Sequence, residues 1–223
     1  MQKGDFIKVN YVGRLESGEI FDLTEADVAK KEKLYNEKMR YCPVPVIIGE
    51  GFLVKGLEHA LESMNIGERK SVKVKPEDGF GGRQPGLVKI VNEKEFDKQN
   101  LQPRPGMIID FGGAKGRIQS VSSGRVSIDF NNPLAGKVLD YEIEIMEKVE
   151  GAESQIKAIL EFYGADKSEV SIDGKTAKVT ARLNEQLRSR VAVLILKHIK
   201  GIEKVDFIET YTKEQQKAHA EGQ

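Results

Sequence analysis

The sequence predicts an α+β protein with more than one domain, and three observations carry that reading. Strictly alternating runs open the chain (GDFIKVNYVGRLESGEIFD) and return much later (KVLDYEIEI, residues 137–145), the period of a strand with one face buried. Between them lie one short amphipathic helix and a patch of short strands. After about residue 150 the texture becomes helix, strand, strand, helix, strand, which is an α/β arrangement of its own. A chain of 223 residues is longer than one small core needs, so several cores are expected.

The first two alternating runs are joined by ESGE, a turn with glycine in place, and form a hairpin. LTEADVAKKEKLYNEKMRYCP is a charged surface excursion with a short helix reaching toward Leu34, Thr24 as its N-cap and Asp27 in the first turn. VPVIIGEG resumes strand character. LVKGLEHALESMNIGERK reads as a helix with Leu57, Ala60, Leu61 and Met64 on one face and Gly67 ending it. RKSVKVKP alternates again, and EDGFGGRQPG is a loop. From residue 87, LVKIVNEKEFDKQNLQPRPG gives a short helical patch and two prolines, followed by three short strands. NNPLAG is a joint leading into the strand 137–145, and EKVEGAE is a charged linker with little to bury. In the tail, AESQIKAILEFYG and EQLRSRVAVLILKHIKG are helices, and EVSIDG, TAKVTARL and KVDFIETYT are strands. The second tail helix is apolar on two sides: Leu187, Val191, Leu194 and Ile195 form one stripe, and Val193, Leu196 and Ile199 widen it. Two neighbours are expected, either a second copy in a homodimer or a well-covered helix in a monomer.

Charge excludes several partners. Lysine plus arginine (35) balances aspartate plus glutamate (35), so no overall field draws the chain to nucleic acid or acidic lipid. Lys115, Arg117 and Arg125 read as a solvated face. No run approaches the ~18 apolar residues of a membrane span, and the start lacks a signal-peptide core. The single cysteine, Cys42, has no internal partner, so a cytoplasmic protein is expected. His59, His198 and His219 are scattered, which predicts no metal and no cofactor. Gly79, Gly81 and Gly82 are not a phosphate loop, because no lysine-threonine pair and no helix follow.

The order of blocks carries a further reading. NYVGRLESGEIFD, then IIGEGFLVKGLEHALESMNIGERKSVKVKPEDGFGGR, then an inserted unit, then NNPLAGKVLDYEIEI resembles an FKBP-type peptidyl-prolyl isomerase of the SlyD-like class, in its long archaeal form. The resemblance covers residues 1 to about 150. It implies a twisted antiparallel half-barrel around a short helix, made of residues 1–86 with 133–150, an inserted chaperone-type domain over 87–132, and a separate C-terminal domain over 151–223. It also implies an apolar cleft for the substrate proline, lined by Tyr11, Phe21 and Asp22 from the hairpin and by Leu53 and Val54 at the helix start. Leu57 would form the floor, Phe80 would come from the glycine-rich loop, and Tyr141 from the returning strand. Taken singly, these aromatic residues read more readily as ordinary core than as pocket walls, and Asp22 as a turn acid or an N-cap for the segment behind it; the aligned blocks reverse that reading.

Such a cleft suits isomerisation. Rotation about an X-Pro bond faces a barrier of ~20 kcal/mol, set by lost amide resonance. No bond is made or broken, so binding the twisted amide better than either planar form suffices. Asp22 would orient Tyr11 or meet the rotating carbonyl carbon. The insert would grip unfolded, proline-containing polypeptide through Leu87, Val88, Ile90, Phe96, Met107, Ile109 and Phe111, apolar residues too numerous for so small a unit. The function expected is thus a prolyl isomerase with chaperone activity, and the alternative is a non-catalytic holdase working through the insert alone.

Overall fold

Alternation of apolar residues sets the strands, and the computed structural model describes them over residues 1–97, 100–111 and 113–209. His219, one of the scattered histidines, lies outside the described residues. The chain divides into two units, Met1–Val72 with Asp140–Gln223, and Lys73–Leu139. In chain order the elements begin with β1 (Phe6–Leu15), β2 (Ile20–Leu23), α1 (Ala26–Lys31), β3 (Val44–Ile47), α2 (Lys55–Glu62) and β4 (Arg69–Val74). They continue with β5 (Val88–Asn92), α3 (Lys94–Asp97), β6 (Ile108–Phe111), β7 (Ala114–Ser122) and β8 (Arg125–Asp129). The last are β9 (Leu139–Lys148), α4 (Ala152–Phe162), β10 (Glu169–Asp173), β11 (Thr176–Thr180), α5 (Glu185–His198) and β12 (Lys204–Ile208).

In the first unit, β1 serves two partners. Its start, Phe6–Val9, pairs antiparallel with β3, and its end, Val12–Arg14, pairs antiparallel with β2. The sheet runs β2-β1-β9-β4, so the late strand β9 lies in the centre beside β1. Leu139, Tyr141, Ile143 and Ile145 of β9 are buried, as its alternation dictates. Helix α2 buries Leu57 and Leu61, one turn apart, and just beyond it the Gly67 N–H donates to the Ile145 carbonyl at 2.7 Å. Thr24 does not cap α1. The N-cap is Glu25, whose side chain makes no capping bond, while the buried Thr24 hydroxyl accepts from the Tyr11 N–H and donates to Asn10 Oδ1, each at 2.9 Å. The threonine just after β2 is used to bond the middle of β1, at Asn10 and Tyr11, rather than to cap a six-residue helix.

The C-terminal residues form an antiparallel β10–β11 pair with β12 added parallel to β11. Asn184 caps α5, its Oδ1 accepting from the Leu187 N–H at 2.9 Å. The segment expected to be a bare linker is not one. Val149 is buried, its N–H donates to the Phe6 carbonyl at 2.7 Å, and it joins Phe6, Ile47, Ile156, Ile159 and Val191 in one core. The tail therefore packs on the back of β1 and β3, because those strands carry apolar residues that α2 does not cover.

The second unit holds a four-stranded antiparallel sheet, β5-β8-β7-β6, over a core of Phe96, Ile109, Ile118, Val126 and Ile128. One strand exceeds the three expected: β5 is an edge strand with Ile90 70% exposed, and its weak alternation hides it in the sequence. The segments entering and leaving the sheet bind each other. The Gly136 N–H donates to the Gly81 carbonyl at 2.7 Å, the Gln84 N–H to Asn131 Oδ1 at 2.8 Å, and Arg83 pairs with Asp129.

Candidate active site

The hairpin β1–β2 and the neighbouring strand β9 bring four of the expected residues together. Tyr141 is 5% exposed and meets the edge of Phe21 at a centroid distance of 5.6 Å and Tyr11 at 6.1 Å, both T-shaped. The Tyr11 hydroxyl donates to Asp22 Oδ2 at 3.0 Å. Adjacent strand residues normally face opposite ways, yet Phe21 and Asp22 both reach this cluster. The cause is a bulge: Gly13 opposes Asp22 and Arg14 opposes Ile20, so Phe21 is skipped in the register.

Gly13 is a member of the site that residue-type reasoning passes over. A Cβ there would lie 2.7 Å from Phe21 Cζ and 2.9 Å from Tyr141 Cε1, so only glycine lets the two rings close over β1. The available signal is a glycine inside an alternating strand, NYVGRL.

Burial, then the charge of Asp22 and its hydrogen bond, push the Tyr11 phenol far above its ordinary range. Burial and the Asp22 charge push Tyr141 up to about 12. Both phenols stay neutral at physiological pH, so the wall offers an apolar face and fixed hydroxyls rather than a titrating acid or base. Leu57 is fully buried on α2, and Leu53 and Val54 are half-buried just ahead of it, with Val54 in extended conformation at the N-cap. Phe80 lies in the second unit, exposed on the loop after a single 3₁₀ turn at Pro76–Asp78; its membership of the site rests on the resemblance.

The expected client residues divide by exposure. Leu87, Ile90 and Phe111 are exposed, Val88 and Met107 half-buried, and Phe96 and Ile109 buried in the sheet's own core. An apolar recess of about 200 Å³ opens beside β6, lined by Leu101, Met107, Ile108 and Phe111 with Phe96 and Ile109 beneath. Among the described residues no helix is long and apolar enough to cross a membrane.

Comparison of the sequence with known proteins finds relatives of one family. A family model described as FKBP-type peptidyl-prolyl cis-trans isomerase matches residues 1–97, and one described as FKBP26, IF domain, matches residues 89–134. The chain is 36% identical over 155 residues to a short-type peptidyl-prolyl cis-trans isomerase of Methanocaldococcus jannaschii, covering 70% of this chain and 98% of that protein. It is 28% identical over 158 residues to the FKBP-type peptidyl-prolyl cis-trans isomerase SlyD of Treponema pallidum, covering 69% and 81%. A probable FKBP-type 16 kDa peptidyl-prolyl cis-trans isomerase of Pseudomonas fluorescens is 29% identical over 146 residues, covering 63% and 87%. The chain belongs to the FKBP-type peptidyl-prolyl cis-trans isomerases, within their SlyD-like branch.

Proposed function

We propose that this isomerase acts as a folding chaperone, accelerating proline-limited folding of client polypeptides that it holds through residues 87–132. Catalysis is assigned to Tyr11, Phe21, Asp22, Leu53, Val54, Leu57, Phe80 and Tyr141. The aromatic wall favours the twisted amide because twisting uncouples the nitrogen lone pair from the carbonyl and lowers charge separation, which an apolar surface tolerates better than the planar form. Tyr11, held by Asp22 at 3.0 Å, is a fixed hydroxyl beside that surface.

The observation that carries the chaperone part is the recess beside β6. Ile108 is 65% exposed and Phe111 and Leu101 are also exposed at its rim, and β6 is an outer strand of the sheet among the described residues, where extended chain meets an apolar surface and a strand to pair with. Ile108→Asp with Phe111→Asp tests it against a matched pair of substrates. Turnover of a short X-Pro peptide is expected to stay within about twofold, while catalysed refolding of an unfolded protein falls about tenfold. Equal losses on both substrates would remove the division of labour. A holdase working through the insert alone would instead keep its whole refolding effect in Asp22→Ala and Phe80→Ala.

Homodimerisation through α5 is proposed on a smaller surface than the sequence suggests. Ile199 is buried in its own domain, leaving Val193 at 55% and Leu196 at 45% exposure on the outer side of the helix.

A further inference from the structure

The loop between β3 and α2 delivers Leu53 and Val54, and the two side chains ahead of them, Glu50 and Phe52, are held from the C-terminal stretch. Gly49 and Gly51, at φ of +88° and +72°, flank Glu50, so the loop backbone has little stiffness of its own. The Glu50 side chain is nonetheless 12% exposed. Its Oε1 accepts from Lys197 Nζ at 2.6 Å, and the buried Nε2 of His198 stands 3.0 Å from the same oxygen. Arg190 donates to the Glu50 carbonyl at 3.3 Å. Two residues on, Phe52 packs on Phe162 at a centroid distance of 4.3 Å and on Tyr163 at 6.3 Å.

Arg190, Lys197 and His198 share a face of α5 at a spacing of seven and eight residues, along with the buried Leu194. Burial alone would raise the Glu50 carboxyl, but the hydrogen bond from Lys197 and the closeness of His198 outweigh it and hold the group below its ordinary range. A mostly covered carboxylate held by the Lys197 ammonium, with His198 beside it, is a directional anchor, whereas an apolar contact would let the loop slide. Beyond Phe52 the chain passes straight into Leu53, whose N–H donates to Glu58 Oε1 at 3.4 Å, and Val54, whose carbonyl accepts the first bond of α2. The clamp therefore ends where the assigned cleft begins.

We propose that the C-terminal domain is a positioning module for the isomerase site: α5 and the end of α4 clamp Glu50 and Phe52 and so fix Leu53 and Val54 for the substrate proline. This rests on the assignment of Leu53 and Val54 to the cleft. Neither family model extends past residue 134, so the clamp belongs to a part of the chain that they do not describe. Glu50, Phe52 and Lys197 are positioning residues, since none of them is placed against substrate.

The test uses the full chain, a short X-Pro peptide, and amide exchange read at residues 53–57. Glu50→Gln and Lys197→Met are each expected to lower kcat/KM about fivefold and to speed exchange at 53–57, with the unfolding midpoint of the rest of the chain little changed. The double variant should lose no more than the worse single, and Lys197→Arg should retain activity, because it still donates to Glu50. Phe162→Leu probes the second anchor by the same readouts. Leu53→Ala and Val54→Ala separate the two assignments: if they leave peptide turnover unchanged, the cleft assignment fails. If they reduce turnover while the clamp variants alter neither kcat/KM nor exchange, or alter exchange alone, positioning by the tail is overturned.

Discussion

One hydrogen bond gives Asp22 a testable role at this site. Tyr11 donates to it at 3.0 Å, and the phenol keeps its proton because burial and the adjacent carboxylate both raise its pKa. If Asp22 acts by orienting that hydroxyl, Tyr11→Phe and Asp22→Asn remove the same device. Each should cost about tenfold in kcat/KM on a short peptide, and the double variant should cost no more than the worse single. Additive losses would instead place Asp22 directly against the rotating amide. The raised phenols also set the pH behaviour: with Tyr141 near 12 and Tyr11 higher, neither titrates below the strongly alkaline range, so kcat/KM should be flat from about pH 6 to 9. The aromatic residues of this wall were legible from residue type and block order. Gly13 and the bulge at Phe21 were not, because a glycine's use as clearance and a skipped residue in a register are three-dimensional facts with only a faint trace in NYVGRL.

Elements are legible where one face is apolar and the other polar, and obscured where a strand lies at an edge. β1, β9 and α2 have that contrast and stand where the alternation puts them. β5 lacks it, and the neck at the base of the second unit's sheet is made by polar residues that read as loop. Asp129 is the centre of that neck: nearly buried, it accepts from Arg83, from Gln119 at 3.1 Å, and from the Asn131 backbone and side chain at 2.9 and 2.8 Å. Burial opposes its charge, but the bonds from Asn131 and Arg83 more than compensate and hold its pKa below the ordinary 3.8. A depressed carboxyl stabilises the folded form above its unfolded pKa, and that contribution disappears as pH falls through the lower folded value. The second unit should therefore lose amide protection below about pH 4. Asp129→Asn should remove that step, while Asp129→Ala should destabilise the unit by about 1–3 kcal/mol at neutral pH by stranding the donors around it. Protection that persists unchanged to pH 2 in the wild-type chain would show that the neck does not depend on this carboxylate.

At the scale of the whole molecule, the sequence reveals the order of the pieces but not which of them share a core. EKVEGAE looks like a tether because its charges dominate its composition, yet its one valine, Val149, is buried in the same core as Phe6, Ile47 and the tail residues Ile156, Ile159 and Val191. That shared core changes how a dimer is to be tested. Cutting the chain after residue 150 would uncover Phe6, Ile47 and Phe52 together, and a truncated chain would associate or aggregate through that new surface whatever α5 does. Substitution on the outer side of α5 leaves the core intact, since Val193 and Leu196 are exposed while Val191, Leu194 and Ile195 face inward. Val193→Glu with Leu196→Lys is therefore expected to convert a sedimenting dimer into a monomer with an unchanged unfolding midpoint. Turnover of a short peptide should be unaffected, because the clamp on Glu50 uses the other residues of α5. A variant that still sediments as a dimer, or a wild-type chain that is monomeric at micromolar concentration, would rule out α5 as the joining surface.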